Sequence, residues 1–190
     1  MKMLKKLLLG YLFLSLTMAV LPAYAITPQV VAVLPVINTA RYRYPEDLAV
    51  IQNTIIKPFK YPYYTLLPLN TTADAASMFL QNSRGRKLSE QKVMAELADA
   101  LSADIVVVVE LSRIRLDRIY SRNYDDTYIC SDVSLTGFTY AKATKKYDRL
   151  TAVKSELESE SIDTNAPAVL QELTEEILVK MPYKRIPVSR

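Results

Sequence analysis

The stretch that decides the fold is "LADALSADIVVVVELSRIRLDRIYSRNYDD", Leu97 to Asp126, in which a helical pattern passes directly into a strand. Ile105 to Val109 are all apolar and β-branched, so this strand is buried on both of its faces. A strand of that kind belongs to a sheet covered by helices or other layers. The stretch therefore predicts an α/β fold with this strand in its core.

The same strand changes character halfway along. Up to Leu111 the apolar side chains occupy odd positions, and beyond it they occupy even ones, at Ile114 and Leu116. Side chains alternate between the two faces of a strand, so an apolar set changes parity within one core only through an inserted residue or a twist. The pattern predicts a β-bulge near Ser112 and Arg113.

Arginines and tyrosines gather past the predicted bulge, around the turn "SRNYDD" at 121–126. Both residue types are enriched at binding hot spots because they supply stiff contact area and forked hydrogen bonding. A long hairpin edge is also a place where a partner can add a strand. A hairpin that leaves its sheet and stays soluble through charge is the competing interpretation. The predicted partner-binding set is Arg113, Arg115, Arg118, Tyr120, Arg122 and Tyr124.

The segments before this stretch predict the order β-α-β-α-α. The spacing of apolar residues predicts a buried strand at Gln29–Asn38 and a second strand at Tyr63–Leu69. Helix-start signals and helical spacing predict three helices: one that begins at Pro45 with two acids in its first turn, a short one near Ala73–Leu80, and one with Ser89 as its N-cap. Pro62 and Pro68 indicate that the second of these strands lies at an edge or carries a bulge. Between the two later helices, "NSRGRK" at 82–87 is typical of an exposed loop.

The segments after the turn predict β-β-α. They are a return strand at Thr127–Tyr140, a third strand at Arg149–Glu160 and a last helix capped by Asn165. The expected fold is α/β (α+β), with a single mixed sheet of about five strands, a C-terminal three-stranded antiparallel meander, and helices packed on the sheet.

The first residues, "MKMLKKLLLGYLFLSLTMAVLPAYA", have the pattern of a secretory leader. Three lysines precede an apolar run that is shorter than the ~20 residues of a membrane-spanning helix, and Ala23 and Ala25 form a cleavage pattern. We expect a signal peptide at 1–25, a single domain at 26–182 and a loose tail at 183–190. The mature chain is then exported to a periplasm or the extracellular space, with no membrane span after cleavage.

Composition excludes several classes of function. The chain has no histidine and one cysteine, so histidine-based triads, histidine metal sites and intramolecular disulfides are absent. The leader holds three of the 24 basic residues and none of the 20 acidic ones, so the mature chain is nearly neutral and lacks a nucleic-acid footprint. Gly85 and Gly137 are its only glycines, which leaves no phosphate loop. We expect no cofactor and no metal, and a buried Cys130.

Carboxylates are the remaining route to catalysis. The acids that lie close in sequence are Asp125, Asp126, Glu156, Glu158 and Glu160. Adjacent acids are typical of turns, and alternating glutamates are typical of the wet face of a strand. A glycan-binding or carboxylate-dependent hydrolytic protein is the alternative function, and self-assembly through an exposed β edge is a third.

Two segments carry a resemblance to a known group. "VVAVLPVINT" at 30–39 and "LADALSADIVVVVELSRI" at 97–114, followed by two long strands and a helix, resemble the envelope superfamily of the TolB amino-terminal domain, the curli-secretion lipoproteins and the activators of penicillin-binding proteins. The resemblance implies a non-enzymatic adapter, assembly factor or activator that binds another envelope protein or a cell-wall component. The chain departs from the pattern at Ser102, where a glycine is common, and in lacking a lipid-acceptor cysteine, so no functional residue, anchor or pore is carried over.

Overall fold

The structure, a computed structural model, describes residues 27–82 and 85–183. The predicted leader at 1–25 lies outside the described residues, as do residues 184–190 of the predicted tail. Tyr183, assigned to that tail, packs on Phe59 with ring centroids 6.0 Å apart. The strands are β1 (Gln29–Val33), β2 (Ile37–Asn38), β3 (Tyr64–Leu66), β4 (Ile105–Ser121), β5 (Asp126–Ala141) and β6 (Lys146–Ser159). The helices are α1 (Pro45–Ile55), α2 (Leu69–Asn82), α3 (Gln91–Ala100) and α4 (Ala166–Lys180), with a 3₁₀ turn at Ile162–Thr164.

One mixed sheet contains every described strand, in the order β3-β1-β4-β5-β6, with β2 pairing the middle of β4. β1 is parallel to β3 and β4, whereas β5 is antiparallel to both β4 and β6. The predicted α/β class with a single mixed sheet is confirmed, with six strands where about five were expected. β3 lies at the end of the sheet, which confirms the edge position predicted from its flanking prolines.

The first predicted strand, Gln29–Asn38, is divided into β1 and β2, so the prediction of one continuous strand is wrong. Pro35 lies at the break, and it has no N–H to give to a neighbouring strand. The N–H of Leu34 still donates to the Val107 carbonyl at 2.8 Å, and pairing resumes where Ile37 lies opposite Glu110. The chain thus stops pairing with β4 just after β1 and pairs with it again at β2.

Helices cover both faces of the sheet and define two core clusters. The first cluster joins α1 and α4 to one face, and its most deeply buried members include Val31, Ile51, Ile105, Leu111, Leu135, Leu170, Leu173 and Ile177. The second joins α3 and part of α2 to the opposite face, and includes Ala32, Leu34, Val93, Met94, Leu97, Val106, Val108 and Phe138. This double coverage is why Ile105–Val109 is apolar at every position. No helix in the described ranges has the length and apolarity that a membrane crossing requires.

Two helices begin where their sequence signals predict. Pro45 is the first residue of α1, with Glu46 and Asp47 in the first turn. Asn165 caps α4, its Oδ1 accepting from the N–H of Ala168 at 2.9 Å. The predicted cap of α3 at Ser89 is wrong, because α3 begins one residue later.

The start of α3 shows why Ser89 does not cap it. Glu90 occupies the N-cap position, and its Oε1 accepts from the N–H of Lys87 at 2.9 Å. Ser89 is buried, and its carbonyl accepts from the Tyr147 hydroxyl at 2.7 Å. The contact with Tyr147 on β6 therefore holds Ser89 before the first turn of α3. Helix propensity depends on nearby residues only, so it could not predict this long-range contact.

The turn from α3 into β4 is a Schellman motif. The N–H of Ala103 donates to the Ala98 carbonyl at 2.9 Å, and the N–H of Ser102 donates to the Asp99 carbonyl at 3.2 Å. Ser102 has φ of 50°, the left-handed conformation in which glycine is favoured. Ser102 thus lies where a side chain carries a conformational cost. Asp104 then joins the strands, since its carboxylate accepts from the N–H of Val30 at 2.8 Å.

The predicted β-bulge is confirmed. Leu111 pairs with Leu135 and Arg113 pairs with Ser134, which leaves Ser112 as the extra residue. The Ser112 hydroxyl donates to the Ser134 carbonyl at 3.1 Å. Ile114 and Leu116 consequently stay on the side of the first core cluster and pack against it.

Candidate functional site

The part of the meander beyond the bulge carries a sheet face that no described helix covers. We call it the open face. It continues the face that α2 and α3 cover nearer the core, and alternation along the paired strands places its members there. The open face consists of Arg113, Arg115, Asp117 and Ile119 on β4, Tyr128, Cys130, Asp132 and Ser134 on β5, and Val153, Ser155 and Leu157 on β6.

Apolar side chains on the open face are well exposed. The exposed fractions are 48% for Ile119, 55% for Val153 and 61% for Leu157. Leu157 lies opposite Cys130, which is itself half-buried, so the prediction of a buried cysteine is wrong. Cys130 alternates onto the face that lacks a helix, and this placement explains its exposure.

Two arginines of the predicted set lie on the open face in ion pairs. Arg113 contacts Asp132 on the neighbouring strand at 3.0 Å. Arg115 contacts Asp117 two positions along its own strand at 2.5 Å. Both pairs are solvated at the guanidinium, and exposed pairs of this kind contribute little to folding. They leave a charged but locally neutral border beside the exposed apolar side chains.

Two other residues of the predicted set face the opposite way. Arg118 pairs with Ile129 on the side of the first core cluster, and its guanidinium forms an ion pair with Glu160. The Tyr120 hydroxyl donates to Asp125 Oδ1 at 2.5 Å, and this hydrogen bond raises the pKa of Tyr120. These contacts hold the chain after β6 and the hairpin turn.

The last two residues of the predicted set, Arg122 and Tyr124, lie in the exposed turn at 122–125. Tyr124 is 77% exposed. Asp125 ends this turn with φ of 50°. The structure therefore divides the six predicted residues among two faces and a turn: Arg113 and Arg115 share the open face, and Arg118 and Tyr120 share the opposite one.

The acids of the alternative function do not converge on a concave site. Asp125 accepts from Tyr120, and the Asp126 carboxylate accepts from the N–H of Thr127 at 2.8 Å, both at the exposed turn between β4 and β5. Glu158 pairs with Lys154 at 2.9 Å on β6. Within residues 27–82 and 85–183, no three acidic or cysteine side chains lie in an arrangement that could hold a metal ion.

A cavity of about 330 Å³ lies at the carboxyl end of β1, beside Glu110 in the middle part of β4. In this strand order β1 and β4 flank the point where connections change direction, the usual position of a crevice in open α/β sheets. Its lining surface is mainly apolar, and its polar or charged members are Thr39, Ser77, Arg86, Lys87, Ser89 and Glu110. Sequence patterns missed it because four separated segments build it.

Two of the three charged side chains at this cavity, Arg86 and Glu110, have partners within the protein. The Arg86 guanidinium donates to both carboxylate oxygens of Glu96 at 3.0 and 2.9 Å, and lies 5.1 Å from the centroid of the Phe79 ring. The hydrogen bond from Arg86 is the main cause of a lowered pKa of Glu96. Glu110 accepts from the Thr39 hydroxyl at 2.9 Å. Arg86 therefore fixes the loop predicted at 82–87 to α3.

No protein-family model matches the chain, and no curated protein matches it either. Solved structures do show similarity to it. The hypothetical protein CT253 from Chlamydia trachomatis is 18% identical, with a TM-score of 0.47 over 80% of this chain and 95% of that one. The lipoprotein GNA1162 from Neisseria meningitidis is 14% identical, with a TM-score of 0.45 over 80% and 100%. The LpoB C-terminal domain from Salmonella enterica is 14% identical, with a TM-score of 0.39 over 75% and 92%.

Proposed function

We propose that this protein is an exported, non-enzymatic adapter of the cell envelope that binds another envelope protein through the open face. The observation that carries the proposal is a sheet face with exposed Ile119, Val153 and Leu157 and no covering helix among the described residues. Apolar side chains grouped on one surface and bordered by polar groups are typical of interaction sites.

The arginines beside this patch support a protein partner. Arg113 and Arg115 are held by Asp132 and Asp117 but keep their guanidinium groups in solvent. A partner carboxylate can exchange with either acid at small cost, because exposed ion pairs are weak. Arginine at the border of an apolar patch then supplies orientation, and the apolar side chains supply buried area.

The proposal keeps four residues of the predicted set. Arg113 and Arg115 act on the open face, and Arg122 and Tyr124 extend the contact at the turn. Arg118 and Tyr120 have internal partners and serve as controls. Export and the envelope location are part of the proposal, and they rest on the predicted leader at 1–25 and on the resemblance to the envelope superfamily.

Affinity capture from cross-linked envelopes of the host tests this function. The tagged mature protein is compared with a triple variant, Arg115→Ala, Ile119→Ala and Leu157→Ala, and with the single variant Arg118→Ala. We expect an envelope protein that copurifies with the parent protein and with Arg118→Ala, and that is lost from the triple variant.

Circular dichroism of each variant checks that the fold is kept. Arg122→Ala with Tyr124→Ala reports separately on the turn. If the same proteins copurify with the folded triple variant as with the parent, the open face is not the binding surface. If only glycan or cell-wall material is retained, the protein-adapter function is wrong.

A further inference from the structure

The outer edge of β6 is a second feature suited to binding, and it adjoins the open face. In the part of the chain that the structure describes, β6 pairs with β5 alone, over 14 residues and without a register shift. One side of its backbone therefore faces away from the sheet. An edge of this length offers N–H and C=O groups to another strand.

Two contacts identify which residues point outward. The N–H of Glu160 donates to the Thr127 carbonyl at 2.7 Å, which directs even-numbered positions of this segment toward β5. The Lys180 ammonium donates to the Thr151 carbonyl at 2.8 Å, from outside the ladder. Direction alternates along an antiparallel strand, so the backbone groups of Val153, Ser155 and Leu157 also point outward.

A residue of helix α4 hydrogen-bonds to one outward backbone group of this edge, and the next outward groups along β6 have no such partner among the described residues. Lys180 occupies the outward carbonyl of Thr151. Beyond it, no described residue hydrogen-bonds to the outward backbone groups of Val153, Ser155 or Leu157. The open segment is long enough for three residues of an added strand to pair.

The side chains beside the open segment differ between the two faces of the sheet. Val153 and Leu157 are the exposed apolar side chains on the open face. On the opposite face Lys154 is the local cation, and it is already shared between Glu158 at 2.9 Å and Glu172 at 3.0 Å. Glu156 lies exposed beside them and forms no ion pair with any described residue, so the described residues on this side carry excess negative charge.

We propose that the edge of β6 from Val153 to Leu157 accepts an extended segment of a protein partner in which apolar side chains alternate with lysine or arginine. The apolar side chains lie beside Val153 and Leu157, and the basic ones lie beside Glu156 and its acidic neighbours. Alternation of side chains in an added strand produces this match without further folding. The inference rests on the proposed function, since it states how the backbone of such a partner is held.

A peptide of alternating lysine and valine, seven residues long and blocked at both ends, tests the inference against the mature protein. A glutamate–valine peptide of the same length tests the charge match. A lysine–valine peptide that is N-methylated at alternate backbone amides keeps the side chains and removes the hydrogen bonds. We expect the first peptide to bind, and the other two to bind about tenfold more weakly or not at all.

Ser155→Pro is the matched protein variant. Its N–H points outward, so proline removes a donor from the edge without breaking the ladder with β5. We expect about tenfold weaker binding of the lysine–valine peptide, the effect of one lost hydrogen bond. Amide hydrogen exchange in the parent protein gives a readout that needs no variant, because bound peptide slows exchange at Val153, Ser155 and Leu157.

Equal binding of the N-methylated peptide, or unchanged exchange at these three amides, overturns strand addition at β6. Absence of binding by the lysine–valine peptide does the same. These outcomes are separate from the capture experiment, because the peptide tests use the parent protein and Ser155→Pro, whereas the capture experiment uses a triple variant with two of its three changes, Arg115→Ala and Ile119→Ala, on β4. The adapter function is therefore tested by the capture experiment, independently of the peptide experiments.

Discussion

A methyl group at Gly137 would lie 2.5 Å from Cγ2 of Ile177. The approach is so close that α4 packs on this part of β5 because residue 137 has no side chain. Glycine weakens a strand interior and often marks the close approach of another element. Gly137 is such a position, and its lack of a side chain sets how closely α4 can approach β5.

We expect Gly137→Ala to lower the free energy of unfolding by about 1–3 kcal/mol, as overpacking in a filled core does. Chemical denaturation of the purified protein measures this change. In a double-mutant cycle, Ile177→Ala should relieve part of this cost, so that the two changes together destabilise less than their sum. Strictly additive effects would mean that the two residues do not clash.

Ser102→Gly should stabilise the protein. Ser102 is held at φ of 50° in the Schellman motif that ends α3, and glycine adopts this conformation without the steric cost of a Cβ atom. The expected gain is about 0.5–1 kcal/mol, since the greater freedom of glycine in the unfolded chain offsets part of the relief. Thermal unfolding measures it, and Ala100→Gly in the last turn of the same helix should destabilise instead.

Deletion of Ser112 should be tolerated better than deletion of Arg115. Removing the bulged residue leaves Leu111 followed by Arg113 opposite Ser134, so every later side chain keeps its face. Removing Arg115 moves Leu116 to the open face and reverses all positions beyond it. Denaturant midpoints of the two deletions report the difference. Equal loss of stability in both would show that the bulge does more than preserve side-chain parity.

The pKa of Glu96 should depend on Arg86. The hydrogen bond from the Arg86 guanidinium holds the pKa of this carboxyl below its ordinary value. A lowered pKa in the folded state stabilises the fold above the pKa of the unfolded chain, and this contribution is lost as pH falls through the folded-state pKa. In a carboxyl NMR titration, Arg86→Gln should raise the pKa of Glu96. Lys87→Gln, which leaves the pair intact, should not.

The sheet core and the bulge could be predicted from the sequence because both follow from how apolar and polar side chains alternate along one strand. Ile105–Val109 is apolar at every position, and the change of parity after Leu111 has only a few physical solutions. The kink at Pro35 was missed because an apolar run looks continuous on either side of it. The mis-assigned cap at Ser89 has a different cause, since the contact with Tyr147 joins residues far apart in the chain.

The candidate site was less accessible to sequence analysis. The arginines and tyrosines near the turn are close in sequence, but alternation sends Arg115 and Arg118 to opposite faces. Whether a helix covers a given part of a sheet face depends on where that helix packs and ends. The sequence pattern of a strand does not predict this. Val153 and Leu157 reach the same surface from β6 only through the register of the meander.

The strand order also implies an order of folding. Asp104 and Val30, which join β4 to β1, are 74 positions apart, whereas the two turns of the meander span residues 122–125 and 142–145. Closing a long loop costs more entropy than closing a tight turn, and distant contacts form more slowly. We expect β4, β5 and β6 to assemble first and β1 to enter last between β3 and β4. The rate-limiting event in reaching the native state is then the insertion of a central strand, although that strand comes first in the chain.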